Sequence, residues 1–554
     1  MPRLNVILNN TTMKTVVIQT LHSIIARLIP LVLLAICASS CSTGDRGGRK
    51  DANLSGSGLY TEAFRPQFHF SPERTWTNDP NGLLWYDGEY HLFYQNNPFG
   101  DRWGHMSWGH AVSPDLVHWE HLPLAIPEEG NEMIFSGSAV VDYGNSSGLC
   151  GNEQGDCMVA IYTSHISQGD TAHQYQSLAY SSDLGRTWRK YAGNPVLDLG
   201  MADFRDPKVF WHEGSSKWVM VVSLPHAHTV HIYTSANLKD WQLQSEFGRQ
   251  GDTSMIWECP DLLEVPVEGG GSRWVLIISS GSRNPGFVGM QYFVGDFDGL
   301  RFSLSEPHPE PRWIDYGKDF YAAVTFNQLP AGEAPVLLGW TNSWMYANDV
   351  PTAPWRGAMS IPRRLQLRHG QDGTNLIQTP VIEGPGSVSG LSMTPVYREG
   401  GFRVEGEFDL EGVHGASLCI RLSAESDEAV EFGISVLEGN GEESAIGYQV
   451  DNGLLYMDRT KAGRSDFHER FPSRESMPVR LAGGRRLEIL VLVDRSLIEI
   501  FAEDGAKVMT NQVFPTNTNH GVRLYANGGG VLIHDIQIYQ VGSIWNKSPD
   551  TLLP

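Results

Sequence analysis

The stretch Ser113-Pro-Asp-Leu-Val-His-Trp119 recurs in altered form as Ser182-Asp-Leu-Gly-Arg-Thr-Trp188 and Ser235-Ala-Asn-Leu-Lys-Asp-Trp241. The three leucines lie 68 and 54 residues apart, and a degenerate relative, Phe297-Asp-Gly-Leu-Arg-Phe302, follows 62 residues after the last of them. A period of about 60 residues fits one four-stranded blade of a β-propeller with long loops, although chance recurrence of Leu and Trp is the alternative. The segment 64–367 therefore predicts a propeller of five blades.

Outside this repeat the sequence also has the residue pattern that is typical of a β protein. Short alternating runs such as Tyr90-His-Leu-Phe-Tyr94 and Lys217-Trp-Val-Met-Val-Val222 are separated by Gly, Pro, Asn and Asp clusters, and helical periodicity is scarce. Beyond a loop-rich stretch at 369–390, further apolar runs predict strands of a second domain, at 402–408, 487–493, 497–501 and 531–539.

The predicted fold class is thus all-β, a five-bladed β-propeller followed by a C-terminal β-sandwich. We place the propeller at residues 63–375, a linker at 376–389 and the sandwich at 390–546. The C-terminal part has no acidic constellation comparable with those of the first domain, so we expect the chemistry to lie in the propeller.

Residues 1–41 have the composition of an export signal. Basic Lys14 and Arg27 precede the apolar run 28–36, which is too short to span a bilayer and has the length of a signal core. Small residues then lead to Cys41, an arrangement that resembles a bacterial lipoprotein signal. We expect an exported lipoprotein of the periplasm or cell surface, with membrane contact only through a lipid at Cys41. A plain secretory signal cut near Ala38 is the alternative, and 42–62 reads as a flexible tether.

Four cysteines belong to the mature chain, and only Cys150 and Cys157 are close in sequence. An oxidising compartment would permit a disulfide between them, and two free thiols are the alternative. No Cys/His spacing typical of a metal site is present, so neither a metal nor a cofactor is expected.

Composition limits the partners. The chain has 554 residues, 63 acidic against 41 basic, and a formal net charge of −22. This charge would repel phosphate backbones and anionic membrane surfaces, so nucleic acid is not expected as a partner. Its 16 tryptophans and many carboxylates suit a neutral polar ligand such as a sugar, although most of the tryptophans are expected in the core.

Three acids stand in unusual contexts. Trp76-Thr-Asn-Asp-Pro-Asn-Gly82 and Phe204-Arg-Asp-Pro-Lys-Val209 contain the two Asp-Pro steps of the chain, and Trp257-Glu-Cys-Pro-Asp-Leu262 places a glutamate two residues before a proline. A residue before proline is driven to an extended backbone, which would hold each aspartate rigidly. Asp79, Asp206 and Glu258 are 127 and 52 residues apart, so each would belong to a different blade and all could meet at the central channel. An ordinary surface turn is the alternative for any one motif alone.

Together these motifs resemble glycoside hydrolase family 32, the invertases, inulinases and levanases. The resemblance extends over nearly the whole mature chain and includes the following stretches: Trp103-Gly-His-Met-Ser-Trp-Gly-His110, Phe135-Ser-Gly-Ser138, Gly339-Trp-Thr-Asn-Ser-Trp344, Pro354-Trp-Arg356 and Val493-Asp-Arg-Ser-Leu-Ile-Glu-Ile-Phe501. Thr77 departs from the family, in which many members carry methionine at this position. The resemblance implies a propeller and sandwich, and a retaining β-fructofuranosidase that removes terminal fructosyl residues from fructans (levan, inulin) and sucrose.

The resemblance also implies roles for single residues. Asp79 is expected to be the nucleophile, Glu258 the acid and base, and Asp206 the carboxylate that grips the fructosyl hydroxyls. Arg205 could fix the Asp206 carboxylate or donate to a hydroxyl. The expected lining of the terminal fructose pocket is Asn78, Gln95, Trp103, Phe135, Ser136 and Trp340, with a core position as the alternative for the aromatics.

Other functions are compatible with parts of this pattern. An endo-acting levanase or inulinase shares every catalytic motif. An arabinanase-like inverting hydrolase has the same fold and three acids, but the three motifs favour fructan chemistry. A fructan-binding surface lipoprotein without catalysis would be expected to have lost at least one acid, and all three are present. The exo prediction rests on segment 339–356, which resembles the corresponding part of exo-acting family members.

Overall fold

A computed structural model describes residues 59–151, 156–169, 171–280, 288–305, 310–371, 373–382 and 390–545. The predicted signal, Cys41 and most of the tether lie outside these residues. In the part of the chain that the structure describes, no helix has the length and apolar character needed to cross a membrane. The described helical structure consists of three short 3-10 turns, at Glu213–Ser215, Pro225–Ala227 and Glu503–Gly505.

The predicted five-bladed propeller is confirmed. Its strands, in chain order, are β1 (Thr75–Tyr86), β2 (Glu89–Asn97), β3 (Ser107–Ser113), β4 (Glu120–Ile126), β5 (Glu132–Asp142), β6 (Cys157–Gln168), β7 (Thr171–Ser181), β8 (Arg189–Lys190), β9 (Leu197–Met201), β10 (Arg205–His212), β11 (Lys217–Leu224), β12 (Thr229–Ser235), β13 (Gln242–Gly248), β14 (Glu258–Pro266), β15 (Ser272–Ser280), β16 (Gly289–Phe297), β17 (Phe302–Leu304), β18 (Arg312–Trp313), β19 (Tyr321–Thr325), β20 (Val336–Trp340), β21 (Trp355–Arg356), β22 (Arg363–Gly370) and β23 (Gly373–Pro380).

Each blade is one antiparallel sheet. The five sheets begin with β1, β5, β10, β14 and β19, and three further strands of each follow outward in chain order, with β21 skipped in the fifth sheet. Short strand β21, which comes from the fifth blade's segment of the chain, pairs in parallel with β1. This pairing joins the last part of the propeller chain to its first blade and closes the ring.

The repeat proves to be the turn between the third and outermost strands of a blade, since the three full copies follow β3, β7 and β12. In each copy an Asp or Asn side chain accepts backbone N–H groups of the turn, as Asp115 does from Val117 and His118. The leucine then takes a left-handed backbone, with φ of 68° at Leu116. In the second copy the serine that bonds to the turn is Ser181, not Ser182, because Ser181 Oγ donates to Asp183.

The C-terminal part is a β-sandwich, also as predicted. Its strands are β24 (Met393–Glu399), β25 (Phe402–His414), β26 (Ser417–Asp427), β27 (Glu431–Gly439), β28 (Glu442–Gln449), β29 (Leu454–Asp458), β30 (Arg474–Pro478), β31 (Arg486–Asp494), β32 (Leu497–Ala502), β33 (Lys507–Gln512) and β34 (Gly521–Val541). The long β34 belongs to both layers: its first part pairs with β27 and its second part with β26. Between the two parts Gly528 and Gly529 have φ of 74° and 155°, a backbone that other residues rarely adopt.

Two details refine the sequence predictions. Strand β23 continues to Pro380, so the first five residues of the predicted linker, 376–380, complete the fifth blade. The Sγ atoms of Cys150 and Cys157 are joined in a disulfide, which is the first of the two alternatives. Cys259 and Cys419 are free and buried.

A buried network of charged side chains joins the propeller to the sandwich. The Asp494 carboxylate accepts hydrogen bonds from the backbone N–H groups of Gln67 and Phe68, at 2.6 and 2.8 Å. The His69 ring lies between Asp494, at 2.9 Å, and Glu499, at 3.2 Å. Arg363 on β22 donates to Glu499 at 2.8 Å. Asp494 and Glu499 belong to the 493–501 motif. The side chains of this motif thus fix the position of the propeller relative to the sandwich.

The charge of His69 gives the first prediction. Burial opposes protonation, but hydrogen bonds to Asp494 and Glu499 outweigh it and raise the pKa of His69 to about 9. Since the folded pKa lies above the unfolded one, the stabilisation is complete below about pH 6.5 and is lost as the pH rises through about 9. We expect His69→Gln to lower the melting temperature by several degrees at pH 6 and by much less at pH 9.5. An equal loss at both pH values would contradict a charged His69.

Candidate active site

The innermost strand of every blade carries an irregularity of register where it approaches the site. The interrupted segments are 77–80 on β1, 134–137 on β5, 205–208 on β10, 258–261 on β14 and 321–324 on β19. A bulge re-aims the side chains that it contains and bends its strand. All three predicted acids lie within these segments, together with Asn78, Phe135, Ser136 and Arg205.

Asp79 lies on β1 and is held by two neighbours. Ser136 Oγ donates to its Oδ2 at 2.6 Å, and Asn78 Nδ2 donates to its Oδ1 at 2.9 Å. The Trp76 indole donates to Asn78 Oδ1 at 2.7 Å, which turns the amide nitrogen of Asn78 toward the acid. Burial raises the pKa of Asp79, while the Ser136 and Asn78 hydrogen bonds act in the opposite direction.

Asp206 lies opposite on β10, with a backbone that the sequence did not predict. Its φ is 64°, in the left-handed region, so the expected extended conformation before proline is wrong at this position. The strained backbone is held from both sides: its N–H donates to Thr163 Oγ1, and the N–H of Cys259 donates to its carboxylate, each at 3.0 Å. Such strain persists where the surroundings over-determine it, as they often do at functional sites.

Glu258 begins β14 and has both carboxylate oxygens occupied. Arg205 donates to Oε1 through Nε and Nη2, at 3.1 and 2.9 Å. Tyr321 Oη donates to Oε2 at 2.7 Å. Arg205 is thus closer to Glu258 than to Asp206, from which its Nε lies 3.9 Å away. Of the two expected roles of Arg205, fixing Asp206 or donating to a substrate hydroxyl, the first is modified: its nearest acidic partners are Glu258 and Asp203, the latter at 2.7 Å.

The three acids form one electrostatic unit. The Cys259 sulfur lies 3.6 Å from Asp79 Oδ2 and equally far from Asp206 Oδ2, so it separates two neighbouring carboxylates. Burial, together with the negative charges of Glu258 and Asp79, raises the pKa of Asp206 to about 7 despite the opposing charge of Arg205. Burial also raises the pKa of the Cys259 thiol, which therefore stays neutral between the two acids.

Above the acids lies an open cleft of about 360 Å³. Its floor and walls are formed by Asn78, Asp79, Gln95, Trp103, Met106, Phe135, Ser136, His165, Gln174, Asp203, Arg205, Asp206, Glu258 and Trp344. Nine of the ten residues predicted for the site are therefore brought together here. This size is within the range of about 300–1,000 Å³ that is usual for small-molecule sites.

The remaining predicted residue, Trp340, does not line the cleft. It is fully buried in the propeller core, and Trp344, with its ring centroid 4.8 Å away, takes the place expected for it. Sequence reasoning also missed Tyr321, His165, Gln174 and Asp203, none of which stands in a motif quoted above. The Trp-Thr-Asn-Ser-Trp spacing does contain both tryptophans, but a non-repetitive turn gives no periodicity from which to decide which one faces the ligand.

In the described ranges, no group of three or more His, Cys, Asp or Glu side chains is arranged to hold a metal ion. Carboxyl groups that meet at the floor of an open cleft are the side chains that glycoside hydrolases use to cleave glycosidic bonds. Fold and site together therefore define a glycoside hydrolase.

The particular family follows from comparison with known sequences. The profile of the glycosyl hydrolases family 32 N-terminal domain matches residues 69–380, and that of the family 32 C-terminal domain matches residues 394–540. The chain belongs to glycosyl hydrolase family 32.

Several relatives resemble the chain over most of its length. A levanase of Bacillus subtilis is 45% identical over 514 residues, which cover 90% of this chain and 73% of the relative. An extracellular exo-inulinase of Aspergillus niger is 40% identical, with 88% and 96% covered. Among solved structures, the exo-inulinase of Aspergillus awamori matches with a TM-score of 0.82 at 38% identity, covering 88% of this chain and 100% of the other.

The raised pKa of Asp206 gives a second prediction. A carboxyl whose folded pKa is above its unfolded value contributes stability that is full below about pH 4 and is lost as the pH rises through about 7. At neutral pH the parent must ionise the buried Asp206 carboxyl, which destabilises the folded state, whereas Asp206→Asn carries no ionisable group there. We therefore expect the melting temperature of the variant to exceed that of the parent by a margin that grows from pH 5 to pH 8. A margin that shrinks over the same interval would show that Asp206 is stabilised as the anion in the free enzyme.

Proposed function

We propose that the chain is a retaining β-fructofuranosidase that removes terminal fructosyl residues from fructans (levan, inulin) and from sucrose. The observation that carries this proposal is the placement of Asp79 on the cleft floor beside Asp206, with Glu258 on the neighbouring inner strand. The relatives named levanase and exo-inulinase support the substrate class, as does a fructofuranosidase of Schwanniomyces occidentalis in complex with fructose, 34% identical with a TM-score of 0.79.

In the first step an oxygen of Asp79 attacks C2 of the fructosyl unit as the bond from C2 to the leaving oxygen breaks. Glu258 gives its proton to that oxygen, and an ester of Asp79 remains. Burial leaves the Asp79 carboxylate poorly hydrated and therefore more nucleophilic, while Ser136 and Asn78 keep it oriented. The Tyr321 hydroxyl can donate to the Glu258 carboxylate or accept from the carboxylic acid, so one contact serves both protonation states.

In the second step Glu258 takes a proton from water as the water oxygen attacks C2. The ester bond breaks, Asp79 becomes a carboxylate again, and Glu258 has regained its proton. Two displacements at C2 leave its configuration retained. Asp206, fixed by the Cys259 N–H, would accept hydrogen bonds from the fructosyl hydroxyls while positive charge develops at C2.

Exo action is supported by what lies below the acids. The buried side chain of Lys208 connects three inner strands there, since its Nζ lies 3.2 Å from Asp261 and 2.5 Å from the Thr325 carbonyl. The cavity lined by Asp206, Cys259 and Lys208 measures about 20 Å³, enough for one water molecule. A funnel that ends at the catalytic carboxylates accepts a chain terminus more readily than the middle of a chain.

Product chromatography at early times tests both the activity and the mode of attack. After separate incubation with sucrose, levan and inulin, fructose should be released from at least one of them, and it should be the sole initial product from each polymer that is attacked. A ladder of oligosaccharides at low conversion would move the enzyme to the endo class. Release of no fructose from any of the three would refute the proposed function.

The export signal leads to a separate proposal, that the enzyme is an exported lipoprotein anchored through Cys41. The apolar run ending at residue 36 and the small residues before Cys41 support it. Labelled fatty acid should be incorporated into the expressed protein, and the label should be absent from Cys41→Ser. If the parent protein were unlabelled and found in the soluble fraction, a plain secretory signal would be the remaining interpretation of the N-terminal segment.

A further inference from the structure

The lining of the cleft contains an apolar and a polar group of residues. The apolar group is Trp103, Met106, Phe135 and Trp344. The polar group, called the polar wall, is His165 on β6, Gln174 on β7, Asp203 just before β10 and Arg205 at the start of β10. Apart from Trp340, the residues that the resemblance assigns to the terminal fructose belong to the apolar group and the floor, whereas His165, Gln174 and Asp203 have no role in the two displacements described above.

Asp203 is held in a fixed place near Glu258. The next residue, Phe204, is fully buried, and its N–H and C=O are bonded to the side chains of Gln174 and Gln176, at 2.9 and 2.8 Å. The Arg205 guanidinium bridges the two acids: Nη1 donates to Asp203 at 2.7 Å, and Nη2 donates to Glu258 at 2.9 Å. Asp203 therefore lies about one guanidinium width from the group that protonates the leaving oxygen.

The His165 ring continues this wall. It stacks on Phe135 with 4.4 Å between ring centroids and an interplanar angle of 8°. Its Nδ1 lies 3.1 Å from Gln174 Nε2, which must be the donor, so the proton of the neutral imidazole is on Nε2. Burial and the charge of Arg205 lower the pKa of His165, which keeps the ring neutral.

The polar wall retains hydrogen-bonding capacity. The Gln174 oxygen accepts from Phe204 and Arg205, and one N–H of its amide nitrogen donates to His165. Asp203 retains acceptor capacity, because its Oδ2 has the exposed His226 ring at 3.4 Å as a neighbour and its side chain is 38% exposed. Among the described residues, His165 Nε2 has the exposed Ser167 hydroxyl as its partner, at 3.0 Å. The wall thus offers an anionic acceptor and a neutral donor to a ligand beside Glu258.

We propose that Asp203 and His165 recognise hydroxyl groups of the sugar on the leaving side of the scissile bond and so determine which leaving sugars are accepted. This inference rests on the proposed function, because the leaving oxygen must lie beside its proton donor. A sugar in that position would meet the Asp203 carboxylate and the His165 ring in place of water. The ligand class is a neutral hexose or fructosyl unit, whose hydroxyls can donate to Asp203 and accept from His165.

Substrates with and without a leaving sugar test the proposal. The measurement is the ratio of kcat/KM for sucrose to kcat/KM for methyl β-fructofuranoside, which has the same fructosyl unit but only methanol to lose. We expect this ratio to fall about ten-fold in Asp203→Asn and about five-fold in His165→Leu, as for the loss of one hydrogen bond. Because Asp203 also contacts Arg205, both substrates are expected to slow in its variant, and the ratio isolates the leaving-side effect.

The chain supplies matched controls outside the cleft. His173 on β7 and Asp198 on β9 have the same residue types as His165 and Asp203 and are also partly exposed. They lie 2.8 Å apart, and neither lines the cleft. His173→Leu and Asp198→Asn should leave the ratio unchanged. If Asp203→Asn and His165→Leu also left the ratio unchanged, the assignment of a leaving-side subsite would be overturned. Failure of the parent enzyme to release fructose from either substrate would instead refute the proposed function itself.

Discussion

Asp79→Asn is expected to lower kcat on sucrose by about four to six orders of magnitude, the range found when a catalytic nucleophile is removed. The amide has nearly the same shape and can still accept from Ser136, but its oxygen is too weak a nucleophile to form an ester at C2. Burial raises the pKa of the Asp79 carboxyl, which means that the buried carboxylate is destabilising. The variant has no such charge, so its melting temperature should not fall.

Initial rates and thermal melting of the purified variant check this result. Asp296→Asn is the matched control, since Asp296 belongs to the same propeller but its side chain is 69% exposed and lies outside the cleft. The control should keep full activity. If folded Asp79→Asn kept more than about a tenth of the parent activity, Asp79 would not be the nucleophile.

Glu258→Gln should reduce turnover to an extent that depends on the leaving group. A positioned general acid contributes typically about 10² to 10⁴ in rate. Sucrose has an alkoxide leaving group that needs the proton, so the loss should approach the upper value. With p-nitrophenyl β-fructofuranoside, whose phenolate leaves without help, the first step should be affected much less.

Rates of p-nitrophenol release in the first turnover, compared with rates on sucrose, separate these cases. Glu264→Gln is the control, because this exposed glutamate lies on the same strand and faces solvent. Equal losses on both substrates would mean that Glu258 positions Arg205 and Tyr321 without donating a proton.

Much of the fold was predictable because the blade turn leaves a local signature. An Asp or Asn that caps the turn, and a leucine that follows it, recur in the first three blades where the third strand reverses into the outermost strand. The three acids could also be identified from the sequence, since each is followed within two residues by a proline. In the structure these prolines lie in bulges of the inner strands.

The rest of the site depends on contacts between blades, which no local pattern encodes. Tyr321 reaches Glu258 from the neighbouring inner strand, and its surrounding sequence contains no distinctive motif. Trp344 rather than Trp340 faces the cleft because the chain turns irregularly after β20. The left-handed backbone of Asp206 is imposed by Thr163 and Cys259, and it overrides the local preference of a residue before proline.

The central claim is that fructosyl transfer proceeds through Asp79. Mass spectrometry of peptides from enzyme that is quenched with acid during sucrose turnover tests it most directly. We predict an added mass of one anhydrofructosyl unit on the peptide that contains Asp79, and its absence from Asp79→Asn. Fructose release without any such adduct, or an adduct on Asp206 or Glu258 instead, would contradict the account.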